Sequence, residues 1–261
     1  MSHNRPLLHR IGAARWLSPL ALLVVWEAAS RLGIIPERTL AAPSSVLRSL
    51  VQMILSGELA DNLLVSFWRV ALGMTIGVSI GVVLALAAGL SRRGEYAIDP
   101  IIQIKRTIPA LALTPLFIVW FGIGETPKVA LIAIASIFPI YLNLYGGIRG
   151  VDVRLVESAR SFGLTRLEQI WHVILPGALP SLLVGLRYSL SIAILMLVVA
   201  EQVNASAGLG YLVNNARDFM RTDIIVVCLL VYAALGLGAD ALVRAIETRA
   251  LAWRPNLIAD A

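Results

Sequence analysis

Six stretches of this chain are long and apolar enough to cross a lipid bilayer, and no other feature constrains its fold as tightly. The longest without a charge, Val70 to Leu90, meets the roughly 20 residues a helix needs to traverse the hydrocarbon core. The others run from about Trp16 to Ile35, Ile108 to Gly124, Val129 to Ile148, Pro176 to Ala200 and Ile224 to Val243. Composition agrees: 58% of the 261 residues are hydrophobic and 15% charged, with a mean hydropathy of +0.82. Lipid offers no water to backbone N–H and C=O groups, so only helices or a closed barrel can span it. The alternating pattern of a barrel is absent. The expectation is an all-α membrane protein of six transmembrane helices. Neither a soluble domain nor a low-complexity linker interrupts residues 1–261, which read as a single transmembrane domain.

Six crossings put both termini on one side. Fourteen Lys and Arg residues fall in the terminal segments and the loops on that side, against six on the other: Arg38, Arg48, Arg69, Lys128, Arg217 and Arg221. By the positive-inside rule, both termini and the loop of about 149–175 are expected in the cytoplasm. The net charge of +6 follows from this asymmetry, and the scattered arginines do not form a patch for nucleic acid. Arg5, Arg10 and Arg15 ahead of an apolar run resemble a signal peptide, but with five more spans following, a retained first helix is expected. Cys228 has no second cysteine to pair with.

Gly73, Gly77, Gly81, Ala85 and Gly89 recur every four residues in the second span, laying small side chains along one face. That stripe suits close packing inside the bundle, or a moving or dimeric contact. Pro109, Pro115 and Pro139 are expected to kink the third and fourth spans. A surface helix is expected after Pro43, within a long outer loop from Pro36 to Arg69.

The loop of about 149–175 is the most informative polar segment. Asp152 can cap a short helix in which Leu155, Ala159 and Phe162 share a face. Gly163 can end it in a left-handed conformation. Thr165 and Glu168 have the spacing of a capping box that starts a second helix, lined on one side by Leu167, Ile170, Trp171 and Ile174. Such a hairpin suits docking a soluble partner or lying on the membrane surface. Its sequence, Glu157-Ser158-Ala159, three residues, Gly163, nine residues, then Val173-Ile174-Leu175-Pro176, resembles the EAA motif of permease subunits in binding-protein-dependent ABC importers. Ser158 stands for the family's first alanine and Val173 for its isoleucine. The resemblance implies that this loop is a coupling helix set in a groove of an ATPase subunit. Glu157, Ser158, Ala159, Gly163, Leu175 and Pro176 are the matching positions.

No G-x-x-x-x-G-K-[ST] phosphate loop occurs, and the two lysines, Lys105 and Lys128, sit in no glycine-rich segment. ATP and magnesium are therefore expected at a partner, with no cofactor on this chain. A gradient-driven carrier is the alternative, but such carriers usually bury ionisable groups in their spans. Here the candidates are few: Glu27 and Arg31, spaced to pair on one helix, Arg187, and Asp240. Arg187 lies roughly 16 Å along a helix from Pro176 at 1.5 Å per residue. It could attract an anion, satisfy freed carbonyls or snorkel. Asn143, Tyr141, Ser189 and Ser191 could line a passage or make interhelical bonds. His3, His9 and His172 lack metal-ligand spacing, which argues against an intramembrane enzyme.

Further segments, Phe67 to Pro100, Thr114 to Asp152 and Gly208 to Val227, resemble the aliphatic sulfonate branch of the nitrate, sulfonate and taurine importer permeases. The likeness runs from about Trp16 to Pro255. It implies a type I importer permease fold in a bacterial inner membrane, a homodimer, two cytoplasmic ATPase subunits, and a periplasmic binding protein that carries much of the specificity. Taurine, nitrate or another small solute remains an alternative to an organosulfonate.

Overall fold

The computed structural model describes residues 5–203 and 205–253, with side chains from residue 18 onward. His3 and Pro255 lie outside the described residues, as do the side chains of Arg5, His9, Arg10, Arg15 and Trp16. All regular elements among the described residues are helical: α1 (Arg5–Arg31), α2 (Pro43–Leu55), α3 (Glu58–Leu90), α4 (Arg92–Thr107), α5 (Thr114–Phe121), α6 (Glu125–Arg149), α7 (Val153–Ser161), α8 (Arg166–Gln169), α9 (Leu175–Gln202), α10 (Leu209–Asp218) and α11 (Thr222–Ala250).

Four of these helices are long and apolar enough to cross a membrane: α3, α6, the continuous α8–α9 rod of 37 residues, and α11. They correspond to the second, fourth, fifth and sixth expected spans. A fifth crossing is possible through α4 and α5, which meet at a bend of 90°. The kink expected in the third span, Ile108 to Gly124, takes the form of a full break, with a 3-10 turn at Ala110–Leu113 followed by the eight residues of α5. The cause is local. Pro109 has no N–H to continue α4, while Pro115 sits in the first turn of α5, where a missing donor costs nothing. Pro139 lies within α6.

The helices α3, α6 and α9 form the centre of the bundle. The glycine stripe makes the first of their contacts, because it is buried against α6. A Cβ added at Gly73 would lie 2.6 Å from Ile132 Cγ2, and one at Gly81 2.9 Å from Ile140 Cβ. Of the two uses open to the stripe, it thus serves close packing within the chain. Two apolar clusters follow from this contact, one around Leu131, Ile132, Leu197 and Val227, the other around Ala85, Tyr141, Leu144 and Ala178.

Contacts along α4 differ from the expected cytoplasmic loop. Lys105 Nζ donates to the Ile134 carbonyl at 2.7 Å, and Arg106 lies over the Phe138 ring, so both reach the middle of α6. Likewise, Glu58 to Arg69, expected in an outer loop, forms the first three turns of α3. Removing these three cations from the two loop totals leaves the asymmetry between the sides in place. The surface helix expected after Pro43 is α2, tied to α1 because Glu27 accepts from the Ser44 N–H at 3.0 Å and its hydroxyl at 2.8 Å. Glu27 also pairs with Arg31 at 2.6 Å, as their spacing predicts.

Candidate functional site

Polar chemistry concentrates at the two ends of the α6–α9 pair. At one end the chain leaves α6 through α7, and Asp152 caps α7 by accepting from the Arg154 N–H at 2.9 Å. Gly163 ends the helix with a φ of +84°, and the Leu164 N–H returns to the Ala159 carbonyl at 3.1 Å. Thr165 and Glu168 form the reciprocal capping box, and the two Thr165 bonds hold the Glu168 carboxyl below the ordinary carboxylate range. Beyond α8 the helix widens into a π turn over Ile170–Ile174, the Leu175 N–H donating to the Ile170 carbonyl. Pro176, which has no N–H to offer, follows at once. The helix that carries the fifth span therefore begins at Arg166, ten residues before Pro176.

This hairpin keeps its apolar side outward. Val153, Leu155, Phe162, Leu167 and Trp171 are all exposed, and Phe162 is 83% open. Glu157 and Ser158 are exposed beside them, Leu175 and Pro176 are half-buried, and Ala159 is buried within the hairpin. The six residues of the EAA pattern therefore sit on one compact element, held to the end of α3 where Arg166 donates to the Leu90 carbonyl at 3.1 Å. A row of large apolar side chains on an otherwise polar hairpin marks an interaction surface.

The opposite end holds a charged cluster that the sequence reading missed. Arg69 is 3% exposed and Glu201 is fully buried, with Arg69 Nη1 donating to Glu201 Oε1 at 2.7 Å and to the Ala207 carbonyl at 2.7 Å. Glu201 also accepts from Ser66 Oγ at 2.6 Å and from the Gly210 N–H at 2.8 Å. The other edge of the guanidinium grips Glu125 with two bonds, Nε to Oε2 at 2.5 Å and Nη2 to Oε1 at 2.7 Å. Lys128 adds a third bond to Glu125 Oε1 at 3.0 Å. Four elements, α3, α6, the end of α9 and the 205–208 loop, are thereby tied by one arginine. The signal was present: Arg69 immediately precedes the apolar run of the second span, Glu201 immediately follows that of the fifth, and Glu125 and Lys128 precede that of the fourth.

The expected pathway residues do not converge. Arg187 is held by α11, with Nη2 2.7 Å from Glu247 Oε2 and Nε 3.3 Å from Asp240 Oδ1, so two carboxylates meet its charge rather than freed carbonyls. Ser191 bonds back to the Arg187 carbonyl and Asn143 to the Pro139 carbonyl. Ser189, fully buried, donates across to the Ser136 carbonyl of α6. Tyr141 is fully buried and donates to Asp99 of α4 at 3.0 Å. No group of three or more His, Cys, Asp or Glu residues among the described ones could hold a metal ion.

Residues 77–251 match the family model described as the binding-protein-dependent transport system inner membrane component. Among curated proteins, the chain is 46% identical over 93% of its length to a protein of Escherichia coli (strain K12) named as an aliphatic sulfonates transport permease, SsuC, and covers 92% of it. A Bacillus subtilis (strain 168) protein with the same name is 42% identical over 91% of this chain and 86% of its own. The taurine transport system permease protein TauC of Escherichia coli (strain K12) is 35% identical over 89% of this chain and 86% of its own. Among solved structures, a chain of an amino acid ABC transporter crystallised with histidines superposes with a TM-score of 0.63 at 23% identity, over 77% of this chain and 97% of that one. A chain of the inward-facing MetNI methionine ABC transporter gives 0.54 at 20% identity, over 75% and 97%. These likenesses give the fold, that of a type I importer permease.

Proposed function

The chain belongs to the family of binding-protein-dependent transport system inner membrane components, and from that premise we propose that it is the permease subunit of an ATP-driven importer of small organosulfonates. The exposed apolar hairpin carrying the EAA pattern from Glu157 to Pro176 is the observation that supports this reading best. The sulfonate assignment draws on the names of the relatives that share 42% and 46% of their residues with it.

In this reading the chain crosses the bacterial inner membrane six times with both termini in the cytoplasm, and two copies pair around the pathway. A periplasmic binding protein delivers the solute to the end that carries Arg69. A cytoplasmic ATPase, which alone binds ATP and magnesium, takes the hairpin through Glu157, Ser158, Ala159, Gly163, Leu175 and Pro176. An ATPase can bias the permease only through a contact whose free energy differs between inward-open and outward-open states. The hairpin suits that role because Arg166 joins it to α3 and the continuous rod joins it to α9. Arg187 is met in this chain by two carboxylates of α11, Asp240 and Glu247.

The test is uptake of an alkanesulfonate, taurine and nitrate by cells expressing the chain with its ATPase and binding protein, with and without the ATPase. ATPase-dependent uptake of the alkanesulfonate alone is expected. ATPase-dependent uptake of another solute would leave the mechanism and replace the substrate, and uptake without the ATPase would overturn the mechanism.

A further inference from the structure

The end of the molecule remote from the coupling hairpin carries a basic hollow, separate from the Arg69 cluster. The face of α2, the segment before it and the turn from α10 into α11 enclose a cavity of about 390 Å³ lined by Arg38, Arg48 and Arg221 together. Arg221 is already held, donating to Asp223 at 2.7 and 3.2 Å, and Ser49 gives that carboxylate a third bond at 2.5 Å. Arg38 and Arg48 differ. Both are exposed, and neither has a carboxylate within ion-pair distance among the described residues. Three arginines against Glu37 and Asp223 leave the lining with one positive charge in excess.

One wall of the hollow is a turn built against local preference. α10 ends as the Met220 N–H returns to the Arg217 carbonyl at 3.1 Å and the Arg221 N–H to the Ala216 carbonyl at 2.7 Å, a paired closure that ordinarily places glycine at the left-handed position. Here that position is Met220, with a φ of +53°, the only residue other than glycine with a positive φ among the described ones. Glycine would sit there without strain, so nothing local calls for a methionine. Met220 is 69% exposed and Phe219 74%. Two large apolar side chains thus stand beside unpaired arginines, and aromatic residues, Met and Arg are the types enriched at protein interfaces. Phe219 and Arg221 also line a second cavity, of about 340 Å³, which makes the turn a ridge between two hollows.

We infer that this surface docks the periplasmic binding protein, a carboxylate of that protein entering between Arg38 and Arg48 while its apolar side chains cover Phe219 and Met220. The inference rests on the importer reading above and assigns the outer contact of that reading to named residues. Charge selects an acidic occupant. Orientation selects a protein over an anionic lipid headgroup. Ser45, Arg48, Ser49 and Gln52 form one stripe of α2 that lines the hollow, whereas the exposed Leu47, Val51, Ile54 and Leu55 lie on the other face, the one suited to the bilayer surface. The arginine stripe is thereby turned away from lipid. The two walls are also joined in advance, by Ser49 on Asp223 and by Thr222 Oγ1 donating to the Glu37 carbonyl at 2.7 Å, so docking requires little reordering.

The experiment measures binding of the binding protein, loaded with ethanesulfonate, to the purified permease–ATPase complex in phosphatidylcholine nanodiscs by biolayer interferometry at low and high salt. Arg48→Glu is expected to weaken binding about tenfold, mainly through slower association, and Arg38→Glu/Arg48→Glu to weaken it further and flatten its salt dependence. Met220→Gly is expected to weaken binding about fivefold while the melting temperature of the complex holds or rises, because the left-handed strain is relieved; a purely structural methionine would leave binding unchanged. Arg38→Gln/Arg48→Gln decides the matter if the charge reversals do not fold. Folded arginine variants that bind like the wild type overturn the proposal. So does an arginine effect seen only when phosphatidylglycerol is added, which would assign the hollow to a lipid headgroup. Failure of the importer reading looks different: the wild-type complex then shows no binding of the loaded protein and uptake proceeds without the ATPase, and the inference falls with it.

Discussion

The two ends of the α6–α9 pair resolve the same problem in opposite ways. At the end that carries Arg69, charged side chains are pulled inside and every one is matched: Arg69 makes four hydrogen bonds, to Glu125, Glu201 and the Ala207 carbonyl, through its three nitrogens. At the hairpin end, Leu155, Phe162, Leu167 and Trp171 are left outside with nothing from this chain upon them. A saturated polar cluster fixes how helices sit relative to one another, because breaking any one bond strands a buried charge. An uncovered apolar row does little for the chain that carries it and much for a partner that covers it. Mutations should therefore damage stability at the first end and coupling at the second.

The largest effect is expected from Arg69→Met, which leaves Glu201 buried without its cation. A loss of about 3–5 kcal/mol is expected, read as a collapse of folded protein in detergent by thermal melting. Arg69→Met combined with Glu201→Gln should recover part of that loss, since the stranded charge is gone. A single mutant that melts like the wild type would show that the cluster does not hold the bundle.

Gly163→Val comes next. Its left-handed backbone costs a β-branched residue about 1–2 kcal/mol locally, and with the hairpin displaced, ATP-driven uptake should be abolished while membrane insertion is retained. Normal uptake by this variant would remove the hairpin from the coupling mechanism.

Leu155→Asp sharpens the contrast, because it should leave the melting temperature of the permease alone nearly unchanged, within about 0.5 kcal/mol. Co-purification of the ATPase should fall about tenfold, in line with loss of an apolar contact at an interface. Arg187→Gln is the smallest change. Its partners Asp240 and Glu247 are each about a third exposed, so solvent screening limits the cost to roughly 0–1 kcal/mol. A larger loss of stability there would mean that the pair is shielded by a second copy of the chain.

Local rules made the hairpin legible in advance. Asp152, Gly163 and the Thr165–Glu168 box act on their own neighbours within four residues, so spacing alone specifies them. The glycine stripe was equally visible, though its partner was not: the four-residue period says that some helix can approach, and only the packing identifies α6. The break in the third span was legible at Pro109 and its angle was not, because a proline marks a kink without stating its size and the 90° bend depends on what α4 and α5 each pack against. The charged cluster was hidden for a related reason. Arg69 and Glu201 lie 132 residues apart, and each read by itself is an ordinary charge at the rim of a span.

By itself the sequence determined that the chain crosses a membrane as helices, because apolar length and backbone hydrogen bonding in lipid leave no other solution. It also determined the hairpin and the family whose motif the hairpin carries. The tertiary structure alone decided which charges are buried and paired, that Arg187 is spent on α11, and that Lys128 and Arg69 meet around one exposed carboxylate. Such pairings join residues far apart in the chain, and their energy comes from mutual position within a low-dielectric interior, which no local pattern encodes.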